Sequence, residues 1–316
     1  MGDIHWYVVL GAFVLDYILG DPGFLPHPVV YMGKAIVFFE SRFRNWFKNL
    51  LVSGAFFAAF LIFSTWALAF CAIALSMAIH PGFGYLVQGV VLFFCFSSRS
   101  LEKAALKVFQ ALEAHDMEAA RQAVSMIVGR QTQTLDEKGV TRAAVETVAE
   151  NFVDGFLSPL FFAVIGGVPL ALAYKMVNTL DSMVGYQNEA YNLFGRASAR
   201  IDDAANFIPA RIAVLVISLG AFLLSFKTGA QTLKTGFSQG SRHKSPNSGY
   251  PEAAFSGALE VRLGGPNVYH GVLVEKPFIG SRFPDPGKEK IRQACWLMMT
   301  ASWIALFISC FIVFIF

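Results

Sequence analysis

The chain is 316 residues long, 55% hydrophobic and 15% aromatic, with only 15% charged residues and a formal net charge of +3. Soluble domains carry roughly a quarter charged residues, so this balance, with a mean hydropathy of +0.52, excludes an ordinary soluble protein and points to a membrane class. The small positive excess forms no basic stripe of the kind that nucleic acid requires, and no nucleic-acid partner is expected.

The first apolar stretch, Trp6 to Leu19, contains Asp16. No Lys or Arg precedes it and no small-residue cleavage site follows at Asp21-Pro22, so it is expected to be retained rather than removed as a signal peptide. Asp16 and Asp21 flank a Pro-rich turn that would end this helix. Leu50 to Ile79 is 30 residues without a charge, well above the roughly 20 needed to cross hydrocarbon. Gly84 to Ser97 is a shorter candidate of 14 residues. The following polar stretch carries Leu101, Ala104, Ala105, Val108, Ala111 and Leu112 at helical spacing; Asp116 is placed to cap a second helix running to Ile127, and Thr134 with Glu137 fits a capping box for a third.

Phe152 to Tyr174 is apolar but interrupted by Gly155, Pro159, Gly166, Gly167 and Pro169, which predicts a kinked or re-entrant segment. Asn206 to Phe226 contains Pro209 and Arg211, and Ala294 to Phe316 is 23 residues without a charge. The expected fold is therefore all-α and polytopic, with four to six membrane segments, some kinked or re-entrant. It divides into N-terminal membrane helices (1–97), a cytoplasmic helical segment (98–151), kinked or re-entrant segments with a polar island (152–226), a cytoplasmic Gly/Pro-rich loop region (227–292) and a C-terminal membrane helix (293–316). The loops at 21–49, 98–151 and 227–292 hold 21 of the 25 Lys and Arg residues, which places them on the cytoplasmic side of the cell's inner membrane. The four cysteines (Cys71, Cys95, Cys295, Cys310) lie in or beside apolar segments without CxxC spacing and read as buried small hydrophobes.

Three polar islands carry chemistry. Glu146, Glu150 and Asp154 stand at i, i+4 and i+8, so a continuous helix would line one face with carboxylates, next to Asn151. Like charges stacked in this way repel unless a cation joins them; the two readings are a solvated face and a Mg²⁺ or basic-partner site. Lys175, Asn178, Asp181 and Ser182 form a second island, whose oxygen donors suit Mg²⁺ completed by substrate phosphates; the alternative is mutual bonding within a bundle. Asp202-Asp203 precede Arg211, an arrangement that holds phosphate through a metal and a guanidinium or, more simply, pairs with Arg200 or Arg211. The third island, Arg242-His243-Lys244-Ser245-Pro246-Asn247-Ser248-Gly249 with Glu252 and Arg262-Leu263-Gly264-Gly265-Pro266-Asn267, can cradle phosphate with backbone N–H groups and charge. No GxxxxGK[ST] or HExxH motif occurs, and His243 and His270 lack zinc-site spacing.

These islands, in order, resemble the adenosylcobinamide-phosphate synthase family of cobalamin biosynthesis, the CbiB/CobD type. The resemblance runs through Asp16-Tyr17-Ile18-Leu19-Gly20-Asp21-Pro22, Leu25-Pro26-His27-Pro28, Ile127-Val128-Gly129-Arg130-Gln131-Thr132-Gln133, Ala144 to Gly155, Tyr174 to Tyr186, His243 to Gly249 and Arg262 to Asn267. It implies an ATP-dependent amide ligation joining aminopropanol phosphate to adenosylcobyric acid. On that footing Glu146, Glu150 and Asp181 are candidate catalytic residues; Glu150, Asp154 and Asp181 are candidate Mg²⁺ ligands. Lys175, Asn178, Arg211, Arg242, His243, Lys244, Asn247 and Asn267 are candidate substrate contacts. The implied cofactors are Mg²⁺ and ATP as co-substrate, and the implied partners are the two substrates, membrane lipid and other enzymes of the pathway. A Mg²⁺-dependent phosphotransferase or prenyltransferase and a corrinoid transporter subunit stay open as alternatives, although spaced DxxxD pairs and an internal repeat are both missing from the sequence.

Overall fold

The structure is a computed structural model that describes residues 4–22, 26–186, 188–269 and 272–315, with the backbone alone described for 267–269 and 272–273. Leu25 and His270 lie outside the described residues. The chain is helical almost throughout. In order it forms α1 (Trp6–Leu19), α2 (Pro28–Trp46), α3 (Leu50–Ile79), α4 (Pro81–Phe93), α5 (Ser98–Glu113), α6 (Met117–Ser125) and α7 (Glu137–Phe152). A π turn at Val153–Leu157 leads to α8 (Ser158–Val184), followed by α9 (Arg196–Phe222), α10 (Phe226–Gln239) and α11 (Gly249–Leu259). Two short antiparallel pairs, β1 (Leu263–Gly264) with β4 (Phe278–Ile279) and β2 (Asn267–Tyr269) with β3 (Val272–Val274), precede α12 (Glu289–Ile315).

Five stretches among the described residues are long and apolar enough to cross a membrane: Leu50–Ile79, Pro81–Glu113, Glu137–Val184, Arg196–Phe222 and Glu289–Ile315; Trp6–Leu19 is shorter and also apolar. Large apolar side chains such as Phe56, Phe63, Leu68 and Leu75 stand exposed along α3. An apolar residue is stable on an outer surface when that surface meets lipid, and a helix apolar all round is the signature of such a span. The protein is an all-α polytopic membrane protein.

The chain divides into two compact units. The first comprises Met1–Ser97, Asp154–Asn206 and Leu306–Phe316. Here α3 packs against α2, α4 and α8, and α1 against α4, around a core that includes Ile36, Phe57, Leu61, Leu180 and Phe194. The stretch 21–49, expected as a loop, holds α2. Pro28 supplies a pre-set first turn, and His27 caps it, its Nδ1 accepting the Val29 N–H at 3.2 Å; the prolines that suggested a turn start a helix. Within α8, Gly166 and Gly167 leave helical geometry, with Gly167 at φ +73°. That conformation is costly for a side chain bearing a Cβ, and it interrupts the helix where the sequence predicted a kink. Pro209, by contrast, sits inside an uninterrupted α9.

The second unit comprises Ser98–Val153 and Phe207–Ala305. Its α5, α6 and α7 pack on one another, α10 lies against α11, and α11 meets α7, β1 and β4. Asp116 caps α6 as expected, accepting the Ala119 N–H at 2.9 Å. Asp136, not Thr134, caps α7, its Oδ1 accepting the Gly139 N–H at 2.8 Å. Both residue types serve as caps, and the helix starts two residues later than a cap at Thr134 would allow. The Gly-rich stretch 227–292 contains two helices rather than only loop. Its glycines are contact points: a Cβ at Gly257 would meet the Thr232 Cα at 3.0 Å and the Gln231 carbonyl at 3.0 Å, so α10 and α11 approach backbone to backbone.

Candidate functional site

The predicted carboxylate face of α7 does not continue to Asp154. The α-helix ends at Phe152 and the π turn begins at Val153, so the 3.6-residue register is lost before Asp154 is reached. Glu146 and Glu150 belong to the second unit and Asp154 to the first.

In the first unit, Asp154 joins residues of α8 and α9. Its Oδ2 accepts a hydrogen bond from Asn178 Nδ2 at 3.3 Å, and Tyr174 Oη lies 3.4 Å from its Oδ1. Tyr174 donates to Asn206 Oδ1 at 2.9 Å, Ser158 Oγ donates to the same oxygen at 2.7 Å, and Asn206 Nδ2 donates to Asp202 Oδ2 at 3.1 Å. Asn178 also reaches Asp202, and the charge of Asp181 acts on that carboxylate. Lys175 is buried within electrostatic range of Asp154, Asp21 and Asp16. The i, i+3 spacing of Asn178 and Asp181 brings both toward Asp202, which the sequence grouped instead with Asp203 and Arg211. Asp203 faces Arg200 at 4.0 Å instead.

Mg²⁺ is usually held by one or two carboxylates, with phosphate oxygens and water filling the rest. Asp202 Oδ1 is buried with no hydrogen-bond partner among the described residues, and Asp181 is its electrostatic neighbour, so the donor set of this cluster fits such an ion. Among the described residues, no group of three or more His, Cys, Asp or Glu is arranged to hold a metal by itself.

In the second unit, α7, α11 and the flanking loops enclose a cavity of about 250 Å³, lined among others by Arg130, Glu146, Glu150, Asn151, His243, Glu252 and Lys276. Glu146 is committed on both oxygens: Oε2 lies 2.8 Å from Arg130 Nη1, and Oε1 accepts the Gly264 N–H at 2.6 Å. Glu150 Oε1 accepts from Ser248 Oγ at 2.9 Å. His243 Nδ1 accepts the Ser245 N–H at 3.0 Å, which leaves the proton of the neutral ring on Nε2, 3.9 Å from Glu252 Oε1. Burial, with the charge of Lys276 adding to it, pushes His243 down to about 4. Burial and the nearby charges of Glu146 and Glu150 push Glu252 well above the usual carboxylate range. His243 is therefore uncharged at neutral pH, and burial favours the protonated form of Glu252.

The loop that carries His243 is fixed from α9. The Arg211 guanidinium lies 4.2 Å from the Tyr250 ring centroid and 3.5 Å from that of Phe207, and its Nη1 donates to Asn247 Oδ1 at 3.4 Å. Asn247 is buried, whereas Arg242 and Lys244 are exposed. Arg142 and Arg262 converge on Asp285, at 2.7 and 2.9 Å. Partial burial works upward on that carboxyl, but hydrogen bonds from Arg262 and the charges of both arginines hold it below its ordinary value.

In this unit the sequence pointed to Glu146, Glu150, Arg211, Arg242, His243, Lys244, Asn247 and Asn267 as site residues, named Arg130 and Glu252 without giving either a role, and did not mark Lys276. Glu252 had a signal, as the one charge in the apolar run of α11. Lys276 had none, since nothing in Val-Glu-Lys-Pro-Phe marks it.

A family described as "CobD/Cbib protein" matches residues 9–298. The chain is 45% identical over 298 residues to a cobalamin biosynthesis protein CobD of Klebsiella pneumoniae, covering 93% of each chain. It is 43% identical over 298 residues, again 93% of each, to a cobalamin biosynthesis protein CbiB of Salmonella typhimurium. A cobalamin biosynthesis protein CobD of Clostridium perfringens is 46% identical over 274 residues, 86% of each chain. No solved structure matches. With its ordered islands and a family match over nearly its whole length, the chain belongs to the CobD/CbiB family.

Proposed function

We propose that this membrane protein acts in cobalamin biosynthesis as an amide-forming ligase, joining aminopropanol phosphate to adenosylcobyric acid at the expense of ATP to give adenosylcobinamide phosphate. The observation that carries the reading is family membership over residues 9–298, with relatives at 43–46% identity named as cobalamin biosynthesis proteins. The chemistry is assigned to the cytoplasmic side of the inner membrane, where the Lys- and Arg-rich stretches belong.

A carboxylate does not react with an amine until one oxygen becomes a leaving group. ATP supplies this by transferring its γ-phosphoryl group to the carboxylate, which breaks the terminal P–O bond and gives an acyl phosphate and ADP; amine attack on the acyl carbon then makes the C–N bond and releases phosphate and a proton. In phosphoryl transfer most of the catalysis is positioning and electrostatic stabilisation. Mg²⁺, when bound, would neutralise phosphate charge, and Asp181 and Asp202 are the residues to hold it, with Asp154 supported by Asn178. Lys175 stands within electrostatic range of Asp154 in that cluster. Glu146, with both oxygens engaged, acts as a positioning residue for Arg130 and Gly264. Arg211 orients the loop bearing His243 and Asn247, while exposed Arg242 and Lys244 draw anionic substrates to it.

The test is product formation. Protein purified into lipid nanodiscs, given adenosylcobyric acid, aminopropanol phosphate and Mg·ATP, should yield adenosylcobinamide phosphate by mass spectrometry, and Asp181→Ala should abolish it. Folded protein without turnover would overturn the ligase reading.

A further inference from the structure

We propose that the cavity of the second unit is the recognition site for the small amino-phosphate substrate, a zwitterion with phosphate at one end and a primary ammonium at the other, read by Lys276 and Glu150 respectively. This rests on the ligase reading and assigns one of its substrates to one place.

Size is the first argument. The cavity holds about 250 Å³, below the roughly 300–1,000 Å³ of pockets that bury drug-sized ligands. A three-carbon amino-phosphate fits; a nucleoside triphosphate or a corrin ring does not.

Charge is the second. The wall carries four full charges, on Arg130, Lys276, Glu146 and Glu150. Arg130 and Glu146 are paired with each other at 2.8 Å. Lys276 and Glu150 contribute the other two, one of each sign. A site for a simple anion would not place a carboxylate in its wall, and a site for a simple amine would not place a lysine there. Glu252 and His243 line the same wall, and burial favours the uncharged form of each. They supply directional donors: the His243 ring offers Nε2–H, its Nδ1 being occupied by the Ser245 N–H. The amide of Asn151, also in the wall, completes a polar lining for phosphate oxygens.

The direct measurement is calorimetric titration of the full chain in nanodiscs with aminopropanol phosphate, without ATP or corrinoid, alongside inorganic phosphate and aminopropanol as half-ligands. Aminopropanol phosphate should bind more tightly than either half, and Lys276→Gln should weaken it by about tenfold or more, with the KM for ATP unchanged. Glu150→Gln should reduce the preference for aminopropanol phosphate over inorganic phosphate, and Lys276→Arg should restore part of the affinity. Unchanged binding in both folded variants, or a KM shift confined to ATP or the corrinoid, would overturn the assignment and leave the ligase reading standing. Tight binding that depends on Lys276, in protein that never makes product, would support the site and sink the ligase reading.

Discussion

Arg130 Nη1 sits 2.8 Å from Glu146 Oε2, and both side chains are nearly buried, at 7% and 11% exposure. The loop before α7 is thereby tied to the helix, while the other Glu146 oxygen holds the backbone of Gly264 at the end of β1. Breaking a buried pair leaves one charge without compensation, which costs about 3–5 kcal/mol, far more than the pair contributes against an apolar replacement. Glu146→Ala and Arg130→Ala should each lower the thermal unfolding midpoint clearly, and the double variant should lose less than the two losses added together. Additive losses would mean that the two side chains act independently.

His243 and Glu252 give the second unit a pH profile with two opposed limbs. The folded value of His243, about 4, lies below its ordinary 6.5. The unfolded chain therefore binds the extra proton first, and stability falls as pH drops from 6.5 towards 4. Glu252 is raised above its ordinary 4.5, so its contribution is full below 4.5 and is lost as pH rises towards the folded value. Unfolding midpoints measured from pH 4 to 9 should show Glu252→Gln losing less stability than the parent on the alkaline side. His243→Gln should lose less on the acidic side. A variant profile parallel to the parent's would remove the corresponding side chain from the account.

Much of the architecture is legible because membrane spans announce themselves by uninterrupted apolar length. Leu50–Ile79 emerges as one helix with the bounds of its uncharged run, and the Gly166–Gly167 interruption falls inside the segment that its glycines and prolines marked. Composition misleads where glycine serves two physical roles. The glycines of 227–292 read as loop, yet Gly257 and Gly236 let helices meet at close range. Gly257→Val should therefore cost about 1–3 kcal/mol through overpacking, read as a lower unfolding midpoint. A neutral outcome would show that α10 can move away from α11 without loss.

The candidate site is legible only in part, for a geometric reason. Residues on one helix face are predictable from spacing, as with Asn178 and Asp181. The i+8 extrapolation to Asp154 fails because a single π turn changes the register. Lys276 and Glu252 reach the cavity by tertiary folding, and no local spacing encodes that.

Asp202 gives the sharpest test of the carboxylate cluster. One of its oxygens is held by Asn206 at 3.1 Å, and the other is buried with no partner among the described residues, next to Asp181 and Asn178. A carboxylate kept in that state suits a cation bound only while substrate is present. Asp202→Asn keeps the shape and the bond to Asn206 through its remaining oxygen but removes the charge. It should raise the Mg²⁺ concentration for half-maximal turnover at least tenfold and lower kcat by about 10²-fold, the scale of losing one preorganised electrostatic contact. Asp203→Asn, which removes only a partly exposed neighbour paired with Arg200, should leave the Mg²⁺ requirement within about twofold, as expected for a surface pair worth ~1 kcal/mol or less. Equal effects of the two substitutions would mean that the general negative potential of α9, rather than a specific ligand, sets the Mg²⁺ dependence.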